Sequence, residues 1–327
     1  MSDKAIRVAV VGAGEFGRNH VRVWRELEGA ELVGIVDTDA GRAARMAAEF
    51  GTRVLPGLDA LSAEYVEAVS LAVPTKEHAR IGCRLLESEL DVLVEKPMAA
   101  SLAEADELIA AAMRRGRILQ VGHVERFNPA VTAVQSIVSR PMFFEVHRLG
   151  IFTPRSLDID VVYDVMIHDL DIVLSLVNSP VADLKAVGIP VMTDKVDIAH
   201  ARVEFETGTV ANFTASRVST ERVRKMRFFQ EHEYISLDFT RQDILRVRAK
   251  PATPLPEINF EKLLTTSEEP LHAELRAFLE SVRTRRTPAV DGLAGRRALE
   301  LADRVMAGIL EHAGRVQLGA YAPQGSR

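Results

Sequence analysis

The first 123 residues repeat one hydrophobic rhythm: a short, almost unbroken apolar run, then a longer segment with apolar positions at helical spacing. Runs at 6–11 (IRVAVV), 31–37, 68–74, 91–97 and 118–123 are aliphatic with little polar alternation, as strands buried on both faces are. Between them the pattern predicts a helix ending at Gly29, one over 39–50 stopped by Gly51, and others over 58–66, 78–90 and 101–116. Ser101 and Glu104 give the last of these a capping-box start. A short strand falls near Val54. Strand–helix alternation at this pitch implies a parallel sheet with right-handed crossovers, covered on both faces.

After residue 123 the rhythm changes. A helix from Pro129 to about Ser139 leads to a half-exposed strand at 143–150, a polar stretch and a helix over 164–177. Strands at 184–191, 197–206, 208–218, 223–230 and 234–239 then follow without helices between them, with a hairpin signal at Thr207-Gly208. A Pro-rich surface loop at 251–256, helices at 270–285 and 292–313, and a frayed tail at 319–327 complete the chain. The expected class is α/β: a doubly wound parallel sheet at 1–123, then an α+β domain at 124–327 with an open, mostly antiparallel sheet.

Composition narrows the function. With 327 residues, 47% hydrophobic and 27% charged, the chain has ordinary globular content and material for two cores. A net charge of -5 argues against a nucleic-acid binder. The single cysteine, Cys83, excludes an internal disulfide framework and a Cys-based zinc cluster. No apolar run approaches the roughly 20 residues that span a bilayer, and MSDKAIRVAVVGAG lacks a signal-peptide pattern. The expectation is a cytoplasmic protein without a membrane partner.

Candidate chemistry begins at Gly12-Ala13-Gly14-Glu15-Phe16-Gly17, a GxGxxG between a strand and a helix. The first glycine permits the tight turn, the second lets backbone approach a pyrophosphate, and the third lets helix pack on strand. The helix start offers free N–H groups and a positive dipole end to phosphates. Asp37 lies 20 residues past Gly17 at the end of the second strand, where a carboxylate accepts ribose hydroxyls. The plain alternative is an ordinary turn with Asp37 capping the next helix. The ordered set of strand, loop, helix, strand and acid instead points to a Rossmann sheet that binds a dinucleotide. A carboxylate repels a 2′-phosphate and Thr38-Asp39 adds no compensating positive charge, so NAD is favoured over NADP, although Arg42 is able to swing in.

Ligands of a doubly wound sheet sit outside the carboxyl ends of its strands. Two further strand ends carry polar groups: Pro74-Thr75 with His78 in the next helical turn, and Glu95-Lys96-Pro97. These residues, with GAGEFG, Asp37 and the Asp-x-x-x-His helix from Asp164 to His168, resemble the Gfo/Idh/MocA family of NAD(P)-dependent sugar oxidoreductases along essentially the whole chain. The resemblance implies an active site formed by Lys96, Asp164 and His168 between the domains, cofactor contacts at Pro74, Thr75, His78, Glu95 and Lys96, and a C-terminal sheet that mediates a homodimer or homotetramer.

The residues of 164–171 agree. Asp164, His168 and Asp171 fall at i, i+4 and i+7 on a helix otherwise made of Val, Met, Ile and Leu. Histidine titrates nearest neutrality and suits proton removal from an alcohol, with a carboxylate to orient it. Hydride transfer needs no metal, and none is expected. His168 is read as the base and Lys96 as its hydrogen-bonding, charge-stabilising partner, with Lys96 as the base the open alternative.

QVGHVERFNPA (120–130), the stretch 215–228 and the IHDLDI helix resemble the UDP-N-acetylglucosamine 3-dehydrogenase group. That implies a nucleotide-sugar substrate, with His123, Arg126, Asn128, Asp171 and Arg217 as candidate contacts. Asp160-Val161-Val162-Tyr163 departs from the glycine-rich turn that many family members carry before this helix. An inositol or free-sugar dehydrogenase, and a non-catalytic NAD-binding regulator, are the competing readings.

Overall fold

The computed structural model describes residues 4–153 and 159–316. The chain divides into two compact units, one of residues 1–127 with 268–296, the other of 128–267 with 297–327.

The first unit holds a five-stranded parallel sheet of β1 (Ile6–Val11), β2 (Ala30–Val36), β3 (Ala68–Leu71), β4 (Asp91–Glu95) and β5 (Leu119–Gly122), ordered β2-β1-β3-β4-β5. Val54 adds an isolated parallel bridge to Ile35 at the β2 edge. The strand order reverses between β1 and β3, which makes their carboxyl ends the ligand-binding crevice of such a sheet. Helices α1 (Glu15–Glu26), α2 (Ala40–Phe50), α3 (His78–Glu87) and α4 (Leu102–Arg115) connect the strands. Two caps follow the sequence. Gly51 ends α2 in the left-handed region at φ 60°, and Ser101 caps α4 by accepting the Glu104 amide at 3.3 Å.

Residues 58–66 form no α-helix, only a 3-10 turn at Leu58–Ala60. Within that stretch Leu61 and Val66 alone are buried apolar side chains, too few to hold a helical face against the sheet. A larger difference concerns α7 (Pro270–Thr284). A linear division at 123 assigns it to the second domain, yet its Leu275, Phe278, Leu279 and Val282 join the first unit's core beside Trp24, Val21 and Val8. The Trp24 and Phe278 rings meet edge to face at 6.4 Å.

The second unit contains α5 (Pro129–Val134), α6 (Ile167–Val177), the end of α8 (Gly292–Arg315) and an eight-stranded sheet. Its strands are β6 (Phe143–Leu149), β7 (Val181–Ile189), β8 (Ile198–Phe205), β9 (Val210–Ser216), β10 (Val223–Gln230), β11 (Glu233–Asp238), β12 (Asp243–Lys250) and β13 (Glu257–Leu263). The order is β13-β12-β11-β10-β6-β9-β8-β7, antiparallel throughout except for the β6–β9 pair. The buried face presents Phe144, Val146, Phe213, Phe228, Ile235 and Leu237 to Ile167, Leu170, Val305 and Ile309. β12 and β13 were not expected from the sequence, and α5 stops five residues short of Ser139. The predicted tail at 319–327 lies outside the described residues.

Candidate active site

In the first unit the glycine turn is built by close approach. Gly12 takes φ +104°, and a Cβ there would lie 2.3 Å from the Ala72 carbonyl oxygen. A Cβ on Gly17 would come within 1.8 Å of the Gly12 carbonyl oxygen, so α1 packs on the turn only because position 17 is glycine. Gly14 differs: its Cβ would meet nothing within 4 Å. Gly14, Glu15 and Phe16 are exposed, and no side chain caps the N-terminus of α1. The open space over Gly14 at the N-terminus of α1 fits a pyrophosphate.

Asp37 closes the same turn. Its Oδ2 accepts the Ala13 amide at 2.6 Å, and its Oδ1 accepts the Asp39 amide and an Arg42 Nη, each at 2.7 Å. Burial works to raise the carboxyl, but Arg42 and the two amides outweigh it and hold Asp37 below the usual carboxylate range. The first-unit residues thus fit a dinucleotide at the glycine turn and a diol at the acid.

The ends of β3 and β4 are tied together by His78. The ring is 1% exposed, with Nδ1 2.9 Å from the Pro97 carbonyl oxygen and Nε2 2.9 Å from that of Val73. Burial lowers its pKa against the pull of those carbonyls. One nitrogen of a neutral ring can donate, while two facing carbonyls would be fully satisfied only by the charged ring. In either state both nitrogens face backbone oxygens, so His78 fastens the 73–75 turn to the 95–97 turn. Pro74 precedes a 3-10 turn at Thr75–Glu77. The Lys96–Pro97 peptide is cis.

Glu95, one residue before Lys96, turns back into the unit. Its Oε1 lies 2.7 Å from His20 Nε2, and a Cβ on Gly122 would crowd its Cα and carboxylate at 3.1 Å. Burial favours the neutral acid, but His20, by hydrogen bond and charge, with Lys96 and His78, holds Glu95 below the ordinary value. The sequence reading passed over His20. Its signal was a histidine within the buried stripe Gly17, His20, Val21 and Trp24 of α1.

His123 is 1% exposed at the end of β5, and Arg126 is half-buried with an Nη donating to the Ala289 carbonyl at 3.3 Å. Both belong to the first unit.

In the second unit, the expected continuous helix over 164–177 opens as a π-helical turn, Val162–Met166, before α6. Asp160 anchors it by accepting the Val196 amide at 2.8 Å, and Tyr163 donates its hydroxyl to Asp303 at 2.7 Å. Asp164 lies in the turn and His168 is the second residue of α6, both half-buried, whereas Asp171 is 1% exposed. The neighbouring Asp169 takes both branches of Arg148, from Nε at 2.9 Å and Nη at 2.7 Å, in a buried pair that pins α6 to β6. The Arg148 guanidinium also stacks on Phe239 at 4.9 Å.

Two proposed ligand contacts are engaged within the protein. Asn128 caps α5 by accepting the Ala130 amide at 3.1 Å, and donates to the Phe239 carbonyl at 3.0 Å. Arg217 donates to the Ile159 carbonyl, and its Nε lies 3.7 Å from Asp197.

A glycine turn, an acid at the end of β2 and a strand-end lysine on one parallel sheet mark a dinucleotide-binding oxidoreductase. Residues 6–123 match the model of the oxidoreductase family with an NAD-binding Rossmann fold, and 130–235 match its C-terminal domain; the chain belongs to the Gfo/Idh/MocA family, with NAD as its cofactor. It is 39% identical over 303 residues to UDP-N-acetylglucosamine 3-dehydrogenase of Acidithiobacillus ferrooxidans, covering 92% of this chain and 96% of that one. A solved structure of that enzyme superposes with a TM-score of 0.88 at 37% identity, over 93% and 98% of the two chains. An inositol 2-dehydrogenase of Leifsonia xyli is 34% identical over 189 residues, 55% of this chain and 56% of its own. Among the described residues, no helix is long and apolar enough to cross a membrane.

Proposed function

We propose that this chain oxidises the C3 hydroxyl of UDP-N-acetylglucosamine to a ketone, passing a hydride to NAD. The observation that carries the reading is the end-to-end likeness to the Acidithiobacillus enzyme, against a match over about half the chain to the inositol dehydrogenase. Bound NAD supplies the hydride acceptor. His168 takes the hydroxyl proton as the C3–H electron pair leaves, and Asp164 steadies the imidazolium that forms. The Lys96 ammonium donates a hydrogen bond to the oxygen on which negative charge builds. His78 and the His20–Glu95 pair hold the turn that carries Lys96, and Arg148–Asp169 holds the helix that carries His168. Arg126 is the candidate for the substrate's diphosphate, whereas Asn128 and Arg217 have structural duties.

Self-association through the outer face of the eight-stranded sheet belongs to the same reading. Phe143, Phe229, Tyr234, Val247 and Phe260 stand opposite one another on β6, β10, β11, β12 and β13, an outward apolar row across five strands. Phe143 stacks on Phe229 at 5.7 Å, Tyr234 meets Phe229 tilted at 5.2 Å, and Phe260 is 68% exposed. A row of that length on one sheet face suits a second copy of the chain. A cytoplasmic site of action rests on composition and the lone Cys83.

The test is NADH formation, followed by absorbance, with UDP-N-acetylglucosamine, free N-acetylglucosamine, glucose and myo-inositol offered separately. Turnover confined to the nucleotide sugar supports the proposal. Equal or faster turnover of myo-inositol or glucose refutes it.

A further inference from the structure

Asp164 and His168 are joined by a break in helical winding. Across Val162–Met166 the Ile167 amide donates to the Val162 carbonyl five residues back, and only then does α6 begin. Turns of this kind are rare and hold one residue more than an α-turn. In an unbroken α-helix 3.6 residues complete a turn, so side chains four apart are offset by about 40° around the axis. The extra residue alters that offset for Asp164 and His168, which lie on either side of Ile167, where the π-helical turn closes. Winding, and not sequence spacing alone, therefore sets how the two side chains are disposed to each other.

Packing does not select that winding by itself. Val161, Val162, Met166 and Ile167 are fully buried in one core with Ala302 and Val305 of α8, and apolar burial is non-directional. Directional ties come from two sides. Ahead of the turn, the Asp160 carbonyl accepts the amides of Tyr163 and Asp164 at 3.1 Å each, and Val161 donates to the Val196 carbonyl at 2.9 Å. Asp160 Oδ1 accepts the Val196 amide at 2.8 Å, which fixes where the turn starts. Inside the turn, the Tyr163 hydroxyl donates to Oδ1 of Asp303 on α8 at 2.7 Å, a charge-assisted bond between two half-buried side chains. Burial, and then the Asp303 carboxylate, push the Tyr163 phenol well above its ordinary value, so it keeps the proton that it donates.

We propose that Tyr163 is a positioning residue: its hydrogen bond to Asp303 holds the π-helical turn, and the turn sets Asp164 against the His168 imidazole for proton removal. This role rests on those proposed above for Asp164 and His168, and adds the device that fixes their arrangement. Tyr163 acts through its neighbour in the chain, since any shift of its backbone toward or away from α8 carries Asp164 with it. Loss of the phenol leaves the buried valines and the Asp160 ties in place. The fold then survives, while the turn is free to rewind and Asp164 to move off the imidazole.

The test is steady-state kinetics with whichever sugar the native chain oxidises fastest, so it does not depend on which sugar that is. The proteins are the native chain, Tyr163→Phe, Asp303→Leu, Asp303→Asn, Tyr163→Phe/Asp303→Leu and His168→Ala, each corrected for its folded fraction from a thermal melt. Tyr163→Phe and Asp303→Leu are expected to lower kcat by about tenfold to a hundredfold, the scale of a displaced reacting group. KM for the sugar and the NADH dissociation constant should stay near native, because the interaction lost is one used in the transition state. Asp303→Asn keeps an acceptor oxygen for the phenol and is expected to restore most of what Asp303→Leu loses. The double variant should be no slower than either single, since each single already breaks the same bond. Equal deficits in Asp303→Asn and Asp303→Leu, or a deficit that vanishes once the folded fraction is counted, overturn the proposal. Near-native kcat in Tyr163→Phe beside an inactive His168→Ala refutes this role alone. Near-native kcat in His168→Ala refutes the proposed base, and this role with it.

Discussion

The Nε2 of His20 stands 2.7 Å from Oε1 of Glu95, joining the first helix to the strand end that carries Lys96. Both side chains are largely enclosed, at 1% and 12% exposure. A buried carboxylate needs such a partner, and its removal leaves a charge with a lost hydrogen bond.

His20→Ala is expected to lower stability by about 3–5 kcal/mol, the cost of breaking a buried pair from one side. Glu95 is held below its ordinary value, so its contribution is present above the unfolded carboxyl pKa of 4.5 and is lost as pH falls through the lower folded value. In the variant, burial acts on Glu95 without the His20 contribution. The gap between the two proteins should therefore be widest near neutral pH and shrink in acid. Urea unfolding at several pH values checks it, and a gap that widens on acidification would speak against the pair.

Gly14 and Gly17 separate two uses of glycine. A Cβ at 14 meets nothing within 4 Å, whereas one at 17 collides with the Gly12 carbonyl at 1.8 Å. Gly14→Ala should keep stability within about 0.5 kcal/mol, as a strain-free exposed site does, yet weaken NADH roughly tenfold, about 1.4 kcal/mol. Gly17→Ala should lose both. Thermal melts alongside NADH titrations distinguish them.

Asp169→Ala deprives the buried Arg148 guanidinium of its bidentate carboxylate and should cost about 3–5 kcal/mol. Replacing the pair by Arg148→Met with Asp169→Leu should recover most of that loss, because two apolar groups need no partner. If the pair orients α6, the double variant regains melting temperature but retains a kcat deficit. Full recovery of both would leave the pair a purely packing role.

The first unit was legible because its signals are local. Each strand is an aliphatic run, Gly51 and Ser101 punctuate helices at the turns they occupy, and the glycine motif lies within eleven residues of the β1 start. β12 and β13 escaped notice for a physical reason. They form the ribbon at one edge of the sheet; Glu257, Ile258, Asn259 and Phe260 of β13 are all exposed, and β12 buries only Ile244, so burial imposes little alternation on them. The return of α7 to the first unit is a long-range pairing, invisible to a pattern read along the chain although its apolar stripe was plain. For the candidate site, the sequence singled out Asp37, Lys96 and His168, but not the residues that hold them in place. His20 under Glu95, His78 on the Pro97 carbonyl and Arg148 on Asp169 are partnerships between residues 19 to 75 positions apart.

The central claim is that Lys96 and His168 act on one hydroxyl. The most direct measurement is turnover of UDP-N-acetylglucosamine by Lys96→Ala and His168→Ala, with NADH affinity determined on the same samples. Turnover should fall by about a hundredfold or more in each, the scale of general acid–base assistance, while NADH affinity stays near native. Near-native turnover in both variants would contradict the account.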